Sequence, residues 1–177
     1  MASAQSEDDR PVTGFAWSEN ADWINFEPGF TMATAHVNHL SGFVWSDSVG
    51  WIKLGADNDG PYANTNAVNW GVNRSPAGFL SGFAWSENAG WICFDPGFGG
   101  VRINPANGRF EGFAWSDSLG WIHLSNDALG YGADTEPLPV AVPALDAAAL
   151  VLLILLMLAV ARHSSLLNGV DKQGAST

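Results

Sequence analysis

Cysteine is almost absent from this chain: Cys93 stands alone among 177 residues. An intramolecular disulfide is therefore excluded, and a zinc site built on cysteines has no second ligand. Basic residues are scarce too, seven against 18 acids, for a net charge of −11. Such a surface repels phosphate backbones and anionic headgroups, which argues against nucleic acid as a partner and against lying flat on an anionic membrane. Residues 1–13 contain no apolar run. With no disulfide to staple the fold, stability must come from packing. The nine tryptophans are the conspicuous material for it, because each aromatic ring buries roughly 150–250 Å².

Eight of the nine sit in a repeat. GFAWSENADWINF (14–26), GFVWSDSVGWIKL (42–54), GFAWSENAGWICF (82–94) and GFAWSDSLGWIHL (112–124) align without gaps. Internal self-similarity of this kind is the signature of stacked or circularly arranged units. The copies alternate. The first and third read SENA and end in W-I-x-F, then an acid and PGF; the second and fourth read SDS, an aliphatic residue and Gly, and end in W-I-x-L. The order is A-B-A-B, with offsets of 68 residues between the A copies and 70 between the B copies, as a duplicated pair would leave.

Each copy reads as a β-hairpin. Gly-Phe-Ala-Trp is a short strand, Ser-Glu-Asn-Ala-Gly a turn and Trp-Ile-x-Phe the return. Asp22 replaces the turn glycine in the first copy, and Asp tolerates positive φ better than most residues. Further strands are expected at 35–38, 68–72 and 101–104, making each unit a three-stranded meander. Side chains alternate faces along a strand. If the tryptophans pair across the turn, one face is Phe-Trp-Trp and the other Ala-Ile-Phe/Leu, and a sheet apolar on both faces needs two covers. The expected fold is all-β: antiparallel hairpin repeats closing as a sandwich or barrel-like domain over 14–127, with halves 14–56 and 82–126 and an insertion at 57–81. The irregular spacing of 28, 40 and 30 residues between copies argues against a regular propeller. Residues 1–13 read as a disordered acidic N-terminus and 128–143 as a Pro-rich linker.

The run Ala147–Ala161 is wholly apolar. About 20 such residues cross a bilayer core, so a single transmembrane helix is expected over 144–162. Ala147, Leu150, Leu153, Leu156, Val160 and Arg162 form the anchor, with a polar tail at 163–177. Arg162 follows the span and acids precede it, which places the C-terminus in the cytoplasm and the β domain in the periplasm or outside the cell. Ala2-Ser3-Ala4 before Gln5 looks like a signal-peptidase site without its apolar stretch. A start cut short of that stretch is the favoured explanation, and a tail-anchored protein with a cytoplasmic domain is the other. The segment Val142-Pro143-Ala144-Leu145, the apolar run and Arg162-His163 together resemble IPTL-CTERM tails, relatives of the PEP-CTERM sorting signals. That resemblance implies export and a sorting role. The G-F-A-W-S-E-N-x-G-W-I repeat resembles Trp-rich repeats of exported bacterial proteins, a likeness that implies no activity.

Candidate chemistry is thin. Asp57 and Asp59 lie in a short acidic, Gly-ended loop of the sort that can hold Ca²⁺, though it lacks the full loop and its bidentate Glu, and a solvated turn accounts for it better. His36 and His39, three apart, would fall on opposite faces of a strand and could not share a metal. Ser18, Ser46, Ser86 and Ser116 each follow a Trp, with no His at a repeated spacing, and read as turn caps. The turn acids Glu19, Asp47, Glu87 and Asp117 recur, but a glycosidase needs two carboxyls about 5 to 9.5 Å apart in a cleft, and no such pairing is visible. The residues Asn25, Lys53, Cys93 and His123 occupy one equivalent return-strand position with four unrelated chemistries, read as a solvated slot. Binding is the remaining class. Trp17, Trp23, Trp45, Trp51, Trp85, Trp91, Trp115 and Trp121 are the aromatic candidates, most of them expected as core staples and some able to stack on a sugar or a protein partner. The function read from the sequence is a non-enzymatic, membrane-anchored, extracytoplasmic module for binding or structural support, with no cofactor. Its expected partners are the lipid bilayer, proteins met through the helix and β domain, and a glycan. The alternative is a single-helix accessory subunit capping a larger membrane complex.

Overall fold

The computed structural model describes residues 9–137 apart from 30 and 58, together with residue 157. The strands all lie in one compact unit, Met1–Val140. They are β1 (Arg10–Ser18), β2 (Asp22–Asn25), β3 (Ala33–Ala35), β4 (Leu40–Ser41), β5 (Phe43–Ser46), β6 (Gly50–Lys53) and β7 (Val72–Arg74). After these come β8 (Leu80–Ser86), β9 (Gly90–Cys93), β10 (Gly100–Ile103), β11 (Phe110–Ser116), β12 (Gly120–His123), β13 (Ser125–Asn126) and β14 (Tyr131–Thr135).

The four repeat copies are four hairpins: β1–β2, β5–β6, β8–β9 and β11–β12. Adjacent hairpins pair antiparallel through β2–β5, β6–β8 and β9–β11, and β12 returns to β1. The result is a closed, eight-stranded antiparallel barrel with one repeat copy per quadrant. Closure leaves the central ring without an edge. The expected sandwich-or-barrel ambiguity thus resolves to a barrel.

Parity then decides what lies inside. Ala16, Val44, Ala84 and Ala114 alternate with Ile24, Ile52, Ile92 and Ile122 around the interior, all at most 3 % exposed. An eight-stranded ring is just wide enough to be filled by side chains, and these leave a void of about 20 Å³ lined by carbon. That is room for roughly one water and no organic ligand.

The A-B-A-B alternation has a packing cause. At the turn end the plugging residues are Ala21 and Ala89 in the A copies, Val49 and Leu119 in the B copies. At the other end the A copies supply Phe26 and Phe94 and the B copies Leu54 and Leu124. Each A hairpin is small where each B hairpin is large, so alternating quadrants fill both ends without crowding.

The repeat serines tie the quadrants together, as turn residues that also reach the preceding copy. Ser18 Oγ donates to the Leu119 carbonyl at 2.8 Å and Ser46 Oγ to that of Ala21 at 3.2 Å; Ser86 and Ser116 reach Val49 and Ala89 at 3.5 Å. The first glycine of every copy marks where the strand leaves the barrel for an outer layer. Gly42 has φ +87°, and a Cβ there would lie 2.3 Å from the Met32 carbonyl oxygen, so only glycine fits. Asp22 takes φ +54° in its turn, the conformation expected of it.

In the outer layer β10 pairs β11, β7 pairs β8 and β3 pairs β4. The first copy receives its third strand from the far end of the domain: β14 pairs β1 through Val12↔Thr135 and Gly14↔Ala133. That strand falls within the stretch read as a linker at 128–143, and β1 begins within the stretch read as disordered at 1–13.

The transmembrane helix expected over 144–162 is corrected. Among the described residues no helix is long and apolar enough to cross a membrane. Of the anchor stretch only Met157 is described, and Ala147, Leu150, Leu153, Leu156, Val160 and Arg162 lie outside the described residues. An apolar run is a compositional signal, whereas a span requires a helix of about 20 residues. The single-pass topology drawn from that run, with the β domain periplasmic or extracellular and the C-terminus cytoplasmic, falls with it.

Candidate functional site: an aromatic belt outside the barrel

With Ala and Ile inside, the opposite parity faces outward, and it carries the tryptophans. The pairs Trp17↔Trp23, Trp45↔Trp51, Trp85↔Trp91 and Trp115↔Trp121 stand opposite one another across their hairpins, as the parity reading required. Their expected role as core staples does not hold. Trp23 is 49 % exposed, Trp91 45 % and Trp51 41 %, while Trp45, Trp85, Trp115 and Trp121 are half-buried. The reason is volume: an eight-stranded ring has no room for indoles, so the small Ala and Val of each strand turn inward and the Phe-Trp-Trp face turns out.

Cross-strand register arranges these rings into rows. Phe43 stands opposite Lys53, Lys53 opposite Trp85 of the next copy, and Trp85 opposite Trp91. The same row recurs as Phe15–Asn25–Trp45–Trp51, Phe83–Cys93–Trp115–Trp121 and Phe113–His123–Trp17–Trp23. The slot read as solvated is therefore half-buried at the centre of each row, between the Phe of its own copy and the first Trp of the next. Edge-to-face contacts lock the rows: Phe43–Trp51 at 6.0 Å, Trp45–Trp51 at 4.9 Å and Trp85–Trp91 at 4.7 Å between ring centroids.

The slot residue decides whether a row is open. In the fourth copy the His123 ring stacks on Phe113 at 4.2 Å, and Tyr131 of β14 bonds its Nδ1 at 3.1 Å. That row is filled, and burial lowers the His123 pKa below 6.5. In the second copy the Lys53 ammonium turns aside and donates to the Ala56 carbonyl at 2.6 Å. A groove of about 650 Å³ opens there, walled by Phe43, Trp45, Trp51 and Trp85. Thr31, Lys53, Glu87 and Asn88 supply its polar edge. Three of the four turn acids are engaged: Asp47 and Asp117 accept the indole N–H of Trp45 and Trp115, and Glu19 accepts the Trp121 backbone N–H. Glu87 has no hydrogen-bond partner among the described residues, so its carboxylate faces the groove uncommitted. Asn88 donates to the Val49 carbonyl at 3.0 Å, which leaves its side-chain oxygen as an acceptor.

A second, smaller cleft of about 280 Å³ adjoins, between Asn64, Asn66, Trp70, Phe83 and Trp91. Trp70, the ninth tryptophan, stands outside the repeat in the stretch expected as a strand at 68–72; neither it, nor the Phe of the Phe-Trp-Trp face, nor Glu87 is among the binding candidates the sequence offers. An odd Trp in an insertion was the available signal for the cleft.

The other candidates are structural. The Asp57 carboxylate accepts the Asp59 N–H at 3.0 Å, forming a turn, and the Tyr62 hydroxyl donates to the Asp57 and Leu40 carbonyls. Among the described residues no cluster of three or more His, Cys, Asp or Glu could hold a metal ion. His36 and His39 are not on opposite faces. A tight turn, closed by His36 N–H to the His39 carbonyl at 2.9 Å, stacks their rings 4.1 Å apart. His36 also bridges Asp9 at 2.6 Å and Ser41 at 2.8 Å. This has the connectivity of a nucleophile, base and acid, but Ser41 is only 5 % exposed within the sheet. No family model, curated protein or solved structure matches the chain.

Proposed function

We propose that this barrel is a non-enzymatic binding module that takes a neutral carbohydrate in the groove between its second and third repeat copies. The observation that carries the reading is the juxtaposition of the exposed Trp51 and half-buried Trp85 rings with an uncommitted acceptor edge, Glu87 and Asn88. A pyranose has the matching chemistry. Its C–H face stacks on an aromatic ring, and its equatorial hydroxyls donate to carboxylate and amide oxygens. A small apolar ligand would leave those acceptors unpaired, at a cost of about 1–3 kcal/mol each if they were dehydrated. Anionic ligands meet an unfavourable field from a chain of charge −11, with Lys53 already committed to Ala56. Glu87 is the one acid lining the groove among the described residues, whereas glycoside hydrolysis calls for two.

Calorimetric titration with neutral oligosaccharides tests the reading. Saturable binding is expected, weakened about tenfold by Trp51→Ala, equivalent to the upper end of the ~0.5–1.5 kcal/mol that an aromatic stack contributes. Trp51 lies outside the barrel core but packs on Phe43 and Trp45, so the variant should stay folded with a lowered unfolding midpoint, and binding is compared well below that midpoint. Absence of binding across neutral oligosaccharides, or binding indifferent to Trp51, would end the proposal. Binding of a protein through the same belt, blocked by Trp51→Ala, would replace it.

A further inference from the structure

The small cleft beside the groove has features the groove alone does not explain. The two share a wall. Trp85 faces the groove and Trp91 the cleft, and their rings meet at 4.7 Å. Lys53 lines the groove, yet its ammonium lies 6.0 Å from the Trp70 ring across the cleft boundary. Trp70 and Phe83 brace Trp91 from either side at 5.2 and 6.0 Å, so the cleft has an aromatic floor of its own.

Its polar edge is the converse of the groove's. Asn64 Oδ1 accepts the Gly71 N–H at 2.9 Å, and Asn66 Oδ1 accepts the Val68 and Asn69 N–H groups at 3.0 Å. Those bonds hold both amides by their oxygens, and neither NH₂ group has a hydrogen-bond partner among the described residues. The groove adds the Glu87 carboxylate and the Asn88 amide oxygen as acceptors, and the cleft adds two amide NH₂ groups as donors. The segment 62–73, which carries Asn64, Asn66 and Trp70, is braced by its own bonds: Tyr62 N–H donates to Asn73 Oδ1 and Asn73 Nδ2 to the Tyr62 carbonyl, both at 2.7 Å, and Asn64 N–H reaches the Asn69 carbonyl at 2.9 Å. A pre-ordered wall adds affinity by removing the ordering cost of binding.

We infer that groove and cleft are two subsites of one surface, and that the ligand is an extended, neutral, β-linked oligosaccharide crossing the Trp85–Trp91 ridge. The inference rests on the carbohydrate reading above. Linear β-linked chains present flat C–H faces in succession, which suits aromatic floors on both sides of a ridge, and hydroxyls that accept in one subsite and donate in the other. Neutrality follows from the local charge: Lys53 and Glu87 balance across the groove, and the cleft lining carries no charged residue.

The test is calorimetry on the full chain with cello- and chito-oligosaccharides from disaccharide to hexasaccharide. Wild-type affinity should climb with length and then level off. Trp70→Ala should lower hexasaccharide affinity about tenfold, the size of one lost aromatic stack, while disaccharide affinity stays within about twofold, because the shorter ligand occupies the groove. Trp70→Leu should behave alike, and serves if the alanine variant unfolds. Binding whose length dependence is the same in wild type and both variants would overturn the two-subsite inference and leave the carbohydrate reading intact. No binding by the wild type at any length would overturn both.

Discussion

Replacing Ser18 with alanine probes the bond that closes the barrel. Ser18 is fully buried where the fourth copy meets the first, 101 residues apart in sequence from its acceptor. Its hydroxyl donates to the Leu119 carbonyl at 2.8 Å and accepts the Ala21 N–H at 3.2 Å. In the variant the Leu119 carbonyl keeps a second donor, the Asn20 N–H at 3.3 Å, but the buried Ala21 N–H is orphaned. One buried unsatisfied group costs about 1–3 kcal/mol, so a loss of about 2 kcal/mol is expected. Ser86 provides the control. Its bond to the Val49 carbonyl is stretched to 3.5 Å, and that carbonyl is also held by Asn88 at 3.0 Å. Its hydroxyl accepts the Asn88 N–H at 3.3 Å, but Asn88 is exposed and water can replace that bond, so Ser86→Ala should cost about 1 kcal/mol or less. Urea denaturation reads both as a shift in midpoint at constant slope. In a thermal scan Ser18→Ala should lower the midpoint by roughly 6–10 °C for a domain of this size. Equal costs for the two variants, or a Ser18→Ala cost under ~0.5 kcal/mol, would refute the closure argument.

Three further outcomes are expected. Ala84→Leu adds three carbons to an interior whose void is about 20 Å³; overpacking should lower stability by about 1–3 kcal/mol or more, and a neutral result would mean the interior is not filled as described. Gly42→Ala meets the Met32 carbonyl oxygen at 2.3 Å, whereas Gly90, also at positive φ, has nothing within 4 Å of its Cβ position. Gly42→Ala should therefore cost well over the ~1–2 kcal/mol of the left-handed conformation alone and Gly90→Ala about that amount, and equal unfolding midpoints would contradict this. The His123 pKa is lowered by burial, so the folded state takes up its proton at lower pH than the unfolded one. Its contribution is present above about pH 6.5 and is lost as pH falls through that value toward the lower folded pKa. Stability measured from pH 7.5 down to pH 5 should decline less in His123→Gln than in wild type, and identical slopes would show that the buried imidazole is not responsible.

Much of the fold was legible in the chain. The hairpins, the facing tryptophans, the turn-capping serines and Asp22 at positive φ all follow from local spacing and conformational preference. What local pattern could not supply was which of two apolar faces turns inward. Parity groups Ala16 with Ile24 and Trp17 with Trp23, but the choice between the groups rests on the width of a closed eight-stranded ring, a property of the whole molecule. The sheer number of tryptophans suggested a Trp core, and ring volume reversed it. The third strand of the first copy was missed for a related reason. Residues 133–135 pair with residues 12–14 across nearly the whole domain, and their proline-rich flank reads as a linker. The slot residues were misjudged as solvated because register between copies, invisible in any one hairpin, places each of them between two aromatic rings. His36 and His39 meet because the chain turns between them, which strand parity cannot anticipate.

The central claim is that the tryptophans form an outer belt whose open sector lies between the second and third copies. Tryptophan side-chain N–H groups each give a separate signal in a nitrogen–proton correlation spectrum, so a hexasaccharide titration followed by this method tests the claim sector by sector. The Trp51, Trp85 and Trp70 signals should move together with a single affinity while those of Trp17 and Trp121, around the filled His123 sector, hold their positions. Signals that stay fixed throughout, or shifts of equal size around the whole belt, would contradict it.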